Sequence, residues 1–146
     1  MTVHPMPPGL PSPRTVSTAQ YKLRLARQHL ADAAESTHSN IRYSRAHVAA
    51  LHAAAAVLAA RETAAPARRG RPRTAWERLA AAEPVLAEWA VFFASGADKR
   101  AAAEAGLPTA TTPAEADTLL HDANLFVTLV EDILGIPTQQ SLPLTG

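Results

Sequence analysis

Twelve arginines and six histidines are the residues of this chain with most to offer chemistry. His47 and His52 are the most closely spaced histidines, yet five residues turn a helix through about 140°, so the two cannot clamp one ion from a single face. No His-Glu-x-x-His or His-x-x-x-His spacing occurs. With no cysteine at all, thiolate metal sites, disulfides and a cysteine nucleophile are excluded. A Gly-x-Ser-x-Gly elbow is missing, and the six glycines stand singly rather than in a phosphate-cradling loop. Neither a metal nor a cofactor is therefore expected.

The densest charge is Arg68-Arg69-Gly70-Arg71-Pro72-Arg73. Its Arg-Gly-Arg-Pro core matches an AT-hook, in which an extended backbone lies in the narrow minor groove of A·T tracts and arginines meet its negative potential. The same residues suit a solvated basic loop. Arginine outnumbers lysine twelve to two, as a GC-rich coding sequence would supply. Tethered at both ends, the segment has little freedom to lie flat in a groove. Arg68, Arg69, Arg71 and Arg73 are thus candidates for salt-sensitive phosphate contacts without preference for A·T pairs.

These residues must be positioned by helices. The chain has 146 residues, one domain's worth. Hydrophobic residues make up 47%, but 33 of them are alanine and only 5% of the chain is aromatic. Small side chains bury little area and let elements approach closely, which helices tolerate and strands do not. The net charge of +1 hides a strong asymmetry: residues 1–60 carry six bases and two acids, residues 61–73 five and one, and residues 98–146 two and seven. Such a distribution suits an acidic partner at one end, or head-to-tail association.

Residues 1–14, rich in proline, read as a disordered arm. Leu23, Ala26, Leu30 and Ala33 give a first amphipathic helix over about 15–35. After a polar turn at 36–40, with Ser39 or Asn40 as N-cap, a second helix runs to about Arg61 with a stripe of Ile41, Val48, Leu51, Ala55 and Leu58. Nine alanines among residues 46–60 mark it as central. An exposed basic loop covers 63–73. Thr74 and Glu77 then open a third helix, which Pro84 splits and whose second half carries Val85, Leu86, Trp89, Phe92 and Phe93. Ser95 and Asp98 repeat the capping pattern before a short helix ending at Gly106. Thr112-Pro113-Ala114-Glu115 combines N-cap, first-turn proline and capping box. The last helix has a seam of Ala116, Leu120, Ala123, Val127, Val130 and Leu134, and stops at Gly135. The expected fold is an all-α antiparallel bundle of four long helices and one short one over 15–135, with a flexible tail at 136–146.

Within this frame, Ile41-Arg42-Tyr43-Ser44-Arg45-Ala46-His47 places Arg-x4-His near the start of an inner helix. Together with the alanine run to Ala60, the basic loop, Trp76-Glu77, Glu88-Trp89-Ala90, Phe92-Phe93, Lys99-Arg100-Ala101 and the Glu115–Glu131 helix, it resembles the HEPN superfamily (higher eukaryotes and prokaryotes nucleotide-binding domains), in particular its small stand-alone branch from GC-rich bacteria. The resemblance covers roughly residues 17–134. It implies a homodimeric helical bundle associated with RNA or nucleotides in toxin–antitoxin and defence settings, beside an antitoxin or nucleotidyltransferase-type protein partner. Arg42 and His47 are then the candidate catalytic pair: a histidine can move a proton at the 2′-hydroxyl or leaving oxygen, and an arginine can steady the phosphorane charge, with no metal needed. Arg24–His29 and Arg45–His52 have compatible spacings. The domain is either a metal-independent endoribonuclease or a catalytically silent binder; a non-enzymatic helical dimerisation or protein-interaction module is the other reading left open.

No apolar run approaches the ~18–20 residues that span a bilayer, and Met1–Pro13 lacks a signal-peptide core, so a cytoplasmic location is expected. Leu142-Pro143-Leu144-Thr145-Gly146 spells a sortase-type sorting pentapeptide and is expected to be coincidental.

Overall fold

A computed structural model describes residues 12–62 and 73–138. The basic segment 63–72, the arm at 1–11 and the end at 139–146, with its Leu-Pro-Leu-Thr-Gly, lie outside the described residues. Six α-helices and one 3-10 turn make up the described chain: α1 (Pro13–Glu35), α2 (Ser39–Arg61), α3 (Ala75–Ala82), the 3-10 turn Pro84–Leu86, α4 (Ala87–Ser95), α5 (Ala97–Glu104) and α6 (Pro113–Leu134). No strand occurs among the described residues. The expected all-α bundle is present, with its third arm divided at Pro84 into α3 and α4 and extended by α5.

Local chemistry sets most of the ends. α1 starts at Pro13, earlier than its apolar periodicity suggests, because Ser12 Oγ accepts the Thr15 N–H and proline fits the first helical position. Thr74 Oγ1 accepts the Glu77 N–H at the start of α3. At α6 the capping box is complete: Thr112 Oγ1 accepts from the Glu115 N–H while the Glu115 carboxylate accepts from the Thr112 N–H. That helix ends at Gly135 in the left-handed region, φ +66°, and the Ile136 N–H returns to the Glu131 carbonyl. Ile136 is thereby buried, although the sequence reading assigns it to the tail. α2 starts after His38, which makes no side-chain cap, and α5 starts after Gly96 rather than Ser95. Ser95 remains in α4, its hydroxyl donating back to the Phe92 carbonyl.

Successive arms run antiparallel around α2. Arg42, at the start of α2, pairs with Asp117 at the start of α6, and Arg61, at the end of α2, donates to the Ile133 carbonyl at the end of α6. The two helices therefore run the same way, with α1 and the α3–α5 arm opposed to them. The face of α2 that enters the core is mostly alanine: Ala46, Ala49, Ala50, Ala53, Ala54 and Ala56 are fully buried, beside His47 and Val57. Of the stripe read from the sequence, Leu58 is buried, whereas Ile41 is exposed and Val48, Leu51 and Ala55 are half-buried. A helix with neighbours on several sides packs closest along its smallest side chains. α1 behaves as its periodicity predicts, burying Leu23, Ala26, Leu30 and Ala33, whereas α6 buries Leu119 and Phe126 more deeply than Leu120 and Leu134.

Candidate functional site

Arg42 and His47 lie on one helix, five residues and thus about 140° apart, so they leave α2 in different directions. Arg42 turns toward the end of α1. Its Nε donates to the Ala33 carbonyl at 3.2 Å and one terminal nitrogen to the Ser36 carbonyl at 2.8 Å, while the other pairs with the Asp117 carboxylate. The guanidinium thus adds a second donor to the Ala33 carbonyl, which also accepts the Ser36 N–H, satisfies the Ser36 carbonyl just past α1 and ties three helices at one point.

His47 turns the other way, into the core, and is only 1% exposed. Its ring stands edge-on to Trp76 and Phe93, with centroids 6.0 and 6.2 Å away. Nε2 lies 3.1 Å from the Phe93 carbonyl oxygen. A carbonyl can only accept, so Nε2 carries the proton and Nδ1 is left as a buried lone pair without a partner. Burial is the main cause that lowers the pKa of His47; the carbonyl bond opposes it and Arg100 adds to it. The imidazole is accordingly neutral at pH ~7. The α4–α5 junction closes over it: a Cβ at Gly96 would lie 3.0 Å from Tyr43 Oη and 3.8 Å from His47 Cδ2, so glycine permits this approach.

The two other Arg–His spacings are not met as pairs. Arg24 lies over the ring of Tyr21, with its guanidinium carbon 5.8 Å from the centroid. Arg45 approaches His29 of α1, at 3.4 Å from Nδ1, rather than His52. His29 and His52 stack face to face at 5.1 Å, and burial is the first cause lowering the pKa of each. Among the basic residues singled out, Arg73 is exposed just before α3; Arg68, Arg69 and Arg71 lie outside the described residues. No group of three or more His, Cys, Asp or Glu able to hold a metal ion occurs among the described residues.

One polar cluster was not foreseen. Tyr43, Lys99, Glu115 and Thr118 border an open depression of about 330 Å³ with Phe92 and Leu119. Lys99 of α5 pairs with Glu115 of α6, which holds the Glu115 carboxyl below the usual carboxylate range and the Lys99 ammonium above its own. Burial pushes the Tyr43 phenol up. Only tertiary packing brings these four positions together, although an apolar α4 too rich to bury completely was a sign of an open face.

With this geometry in place, comparison with known proteins is decisive on one point. A family model described as SAV_6107-like HEPN matches residues 33–131. The chain belongs to that family. The matched span runs from the last turn of α1 almost to the end of α6, so the HEPN domain includes the central helix, the broken third arm and the capping-box helix. No curated protein and no solved structure gives a match. In this HEPN domain no helix among the described residues is long and apolar enough to cross a membrane.

Proposed function

We propose that this HEPN domain is catalytically silent and works by binding, with nucleic acid (RNA by the family resemblance) held through salt-sensitive contacts from Arg68, Arg69, Arg71 and Arg73. Arg42 and His47 hold the bundle together in this reading. The observation that carries it is the burial of His47. A general acid or base must come within ~3 Å of the proton it moves, directly or through one water, and this ring faces Trp76, Phe93 and a backbone carbonyl. Arg42 is similarly occupied by helix-end carbonyls and Asp117. A cytoplasmic homodimer is part of the same proposal and rests on the resemblance. The strongly basic first half of the chain supports the choice of a polyanion as ligand.

The test is a cleavage assay on structured and unstructured RNA, with and without EDTA, comparing wild type with His47→Phe. Neither protein is expected to cleave above a mock purification, while wild type retards RNA at low salt. Metal-independent cleavage by wild type that His47→Phe abolishes would overturn the silent reading; absence of any RNA retardation would overturn the binding one.

A further inference from the structure

α4 carries more apolar surface than the bundle covers. Phe93 and Ala90 face the core, whereas Val85 just before the helix is 69% exposed and Phe92 within it is 42% exposed. Across from it, α6 leaves Leu125 49% exposed. The two helices are bridged below the surface by rings, with Trp89 and Phe93 centred 5.6 and 5.0 Å from Phe126, and above those rings a groove remains. Phe92 divides it into two depressions. One, of about 330 Å³, has Leu119 in its wall; the other, of about 360 Å³, lies among Glu88, Trp89 and Asp122. The spacing 85, 88–89, 92 on one helix and 118–119, 122, 125 on the other is that of two helical faces turned toward a missing third.

The charge around the groove says what can fill it. Glu88 and Asp122 stand on opposite walls, and neither makes an ion pair among the described residues. Glu115 at the far end is already matched by Lys99. The face belongs to the acidic half of the chain, since residues 74–97 carry three acids and one base and residues 98–146 seven and two. A second copy presenting this same face across a two-fold axis would oppose Glu88 and Asp122 to like charges. We infer that the α4–α6 groove is a docking site for a basic amphipathic helix of a different protein, whose apolar side chains enter the depressions on either side of Phe92 while flanking Arg or Lys residues meet Glu88 and Asp122. This goes beyond the nucleic-acid reading and is independent of it, because the groove lies in the half of opposite charge.

The probe is a labelled synthetic helical peptide with leucines at i, i+3/i+4 and i+7 and arginines beside them. Two controls replace every leucine by alanine or every arginine by glutamate. Full-length protein is titrated by fluorescence anisotropy, and the tryptophan emission of the protein is followed in parallel. The Leu/Arg peptide is expected to bind at least about tenfold more tightly than either control and to shift the tryptophan emission, as one well-buried aromatic contact gives about that factor. Phe92→Asp, at a surface position that leaves Phe93 in place, is expected to lower affinity by about tenfold or more. Glu88→Lys with Asp122→Lys is expected to do the same and to transfer preference to the Leu/Glu peptide. Equal binding of the Leu/Arg and Ala/Arg peptides would overturn the inference, and so would unchanged affinity in Phe92→Asp with unaltered circular dichroism. Light scattering that reports a dimer which Phe92→Asp dissociates would assign the groove to a second copy and overturn it as well.

Discussion

Replacing His47 separates a core residue from a catalytic one by magnitude alone. His47→Ala removes a fully buried ring from between Trp76 and Phe93. Truncating a buried aromatic to alanine costs ~3–5 kcal/mol, cavity included. The lost Nε2–H bond to the Phe93 carbonyl adds ~1 kcal/mol, while deletion of the partnerless Nδ1 returns ~1–3 kcal/mol. Allowing for an imidazole smaller than phenyl, the net loss is about 2–4 kcal/mol. For a domain of this size each kcal/mol moves Tm by roughly 3 °C, so thermal unfolding followed by circular dichroism should show a fall of about 6–12 °C. A catalytic histidine on an open surface would move Tm by no more than about 3 °C, and such a result would refute the core assignment. His47→Phe, which keeps an aromatic ring and drops the orphan atom but adds volume, should cost less than His47→Ala, about 1–3 kcal/mol.

The same pair reports on pH. The folded-state pKa of His47 lies below its unfolded value of 6.5, so at pH below 6.5 the unfolded chain binds more protons and stability falls with acidification. The contribution is intact above pH 6.5 and lost progressively below it, at no more than ~1.4 kcal/mol per pH unit. Tm profiles between pH ~5 and ~8 should therefore fall less steeply on the acid side for His47→Phe than for wild type. His29 and His52, displaced in the same direction, leave a residual acid limb in both.

Arg42→Ala should destabilise by about 1–3 kcal/mol in urea unfolding, because it strips carbonyls at the end of α1, whereas Asp117→Asn, at a mostly exposed partner, should cost less than about 1 kcal/mol; the reverse order would refute the role given to Arg42. Arg27→Met takes away a guanidinium that donates to the fully buried Glu131 and should cost ~1–3 kcal/mol in the same unfolding assay, the loss of a charge-assisted hydrogen bond to a buried group; a cost below ~0.5 kcal/mol would refute that role. Replacing Arg68, Arg69, Arg71 and Arg73 together by alanine should leave Tm within a few degrees and lower the salt slope of duplex DNA binding by roughly four, given ~0.9 per phosphate contact; an unchanged slope would remove these arginines from the interface.

Much of the fold was legible because its signals are local. The start of α6 rests on four adjacent residues, the break after α3 on Pro84, and the buried side of α1 on a period any amphipathic helix shows. The face of α2 was legible only in part. Its alanines announced a central helix, but the side that enters the core is chosen by neighbours from three other arms, and Ile41, Val48 and Leu51 pointed to a different side. The candidate pair shows the same limit. Arg-x4-His is visible in the chain, yet the partners that give each residue its role, Asp117 and Phe93, are 75 and 46 positions away. The α4–α6 groove needed the packed structure, since an excess of apolar residues does not say which of them stay uncovered.

The alanine seam of α2 also governs how this domain can change over time. Methyl groups set most of the distance between helix axes, and an alanine has no rotatable side chain to retract when it grows. A valine or leucine there must displace a whole arm, and the Arg42–Asp117 pair at one end of α2 and the Arg61 bond to the Ile133 carbonyl at the other resist that displacement. Substitutions in the seam are thus tolerated only where the new side chain is no larger than alanine. The helix whose buried face is built mostly of methyl groups is therefore the one least free to change.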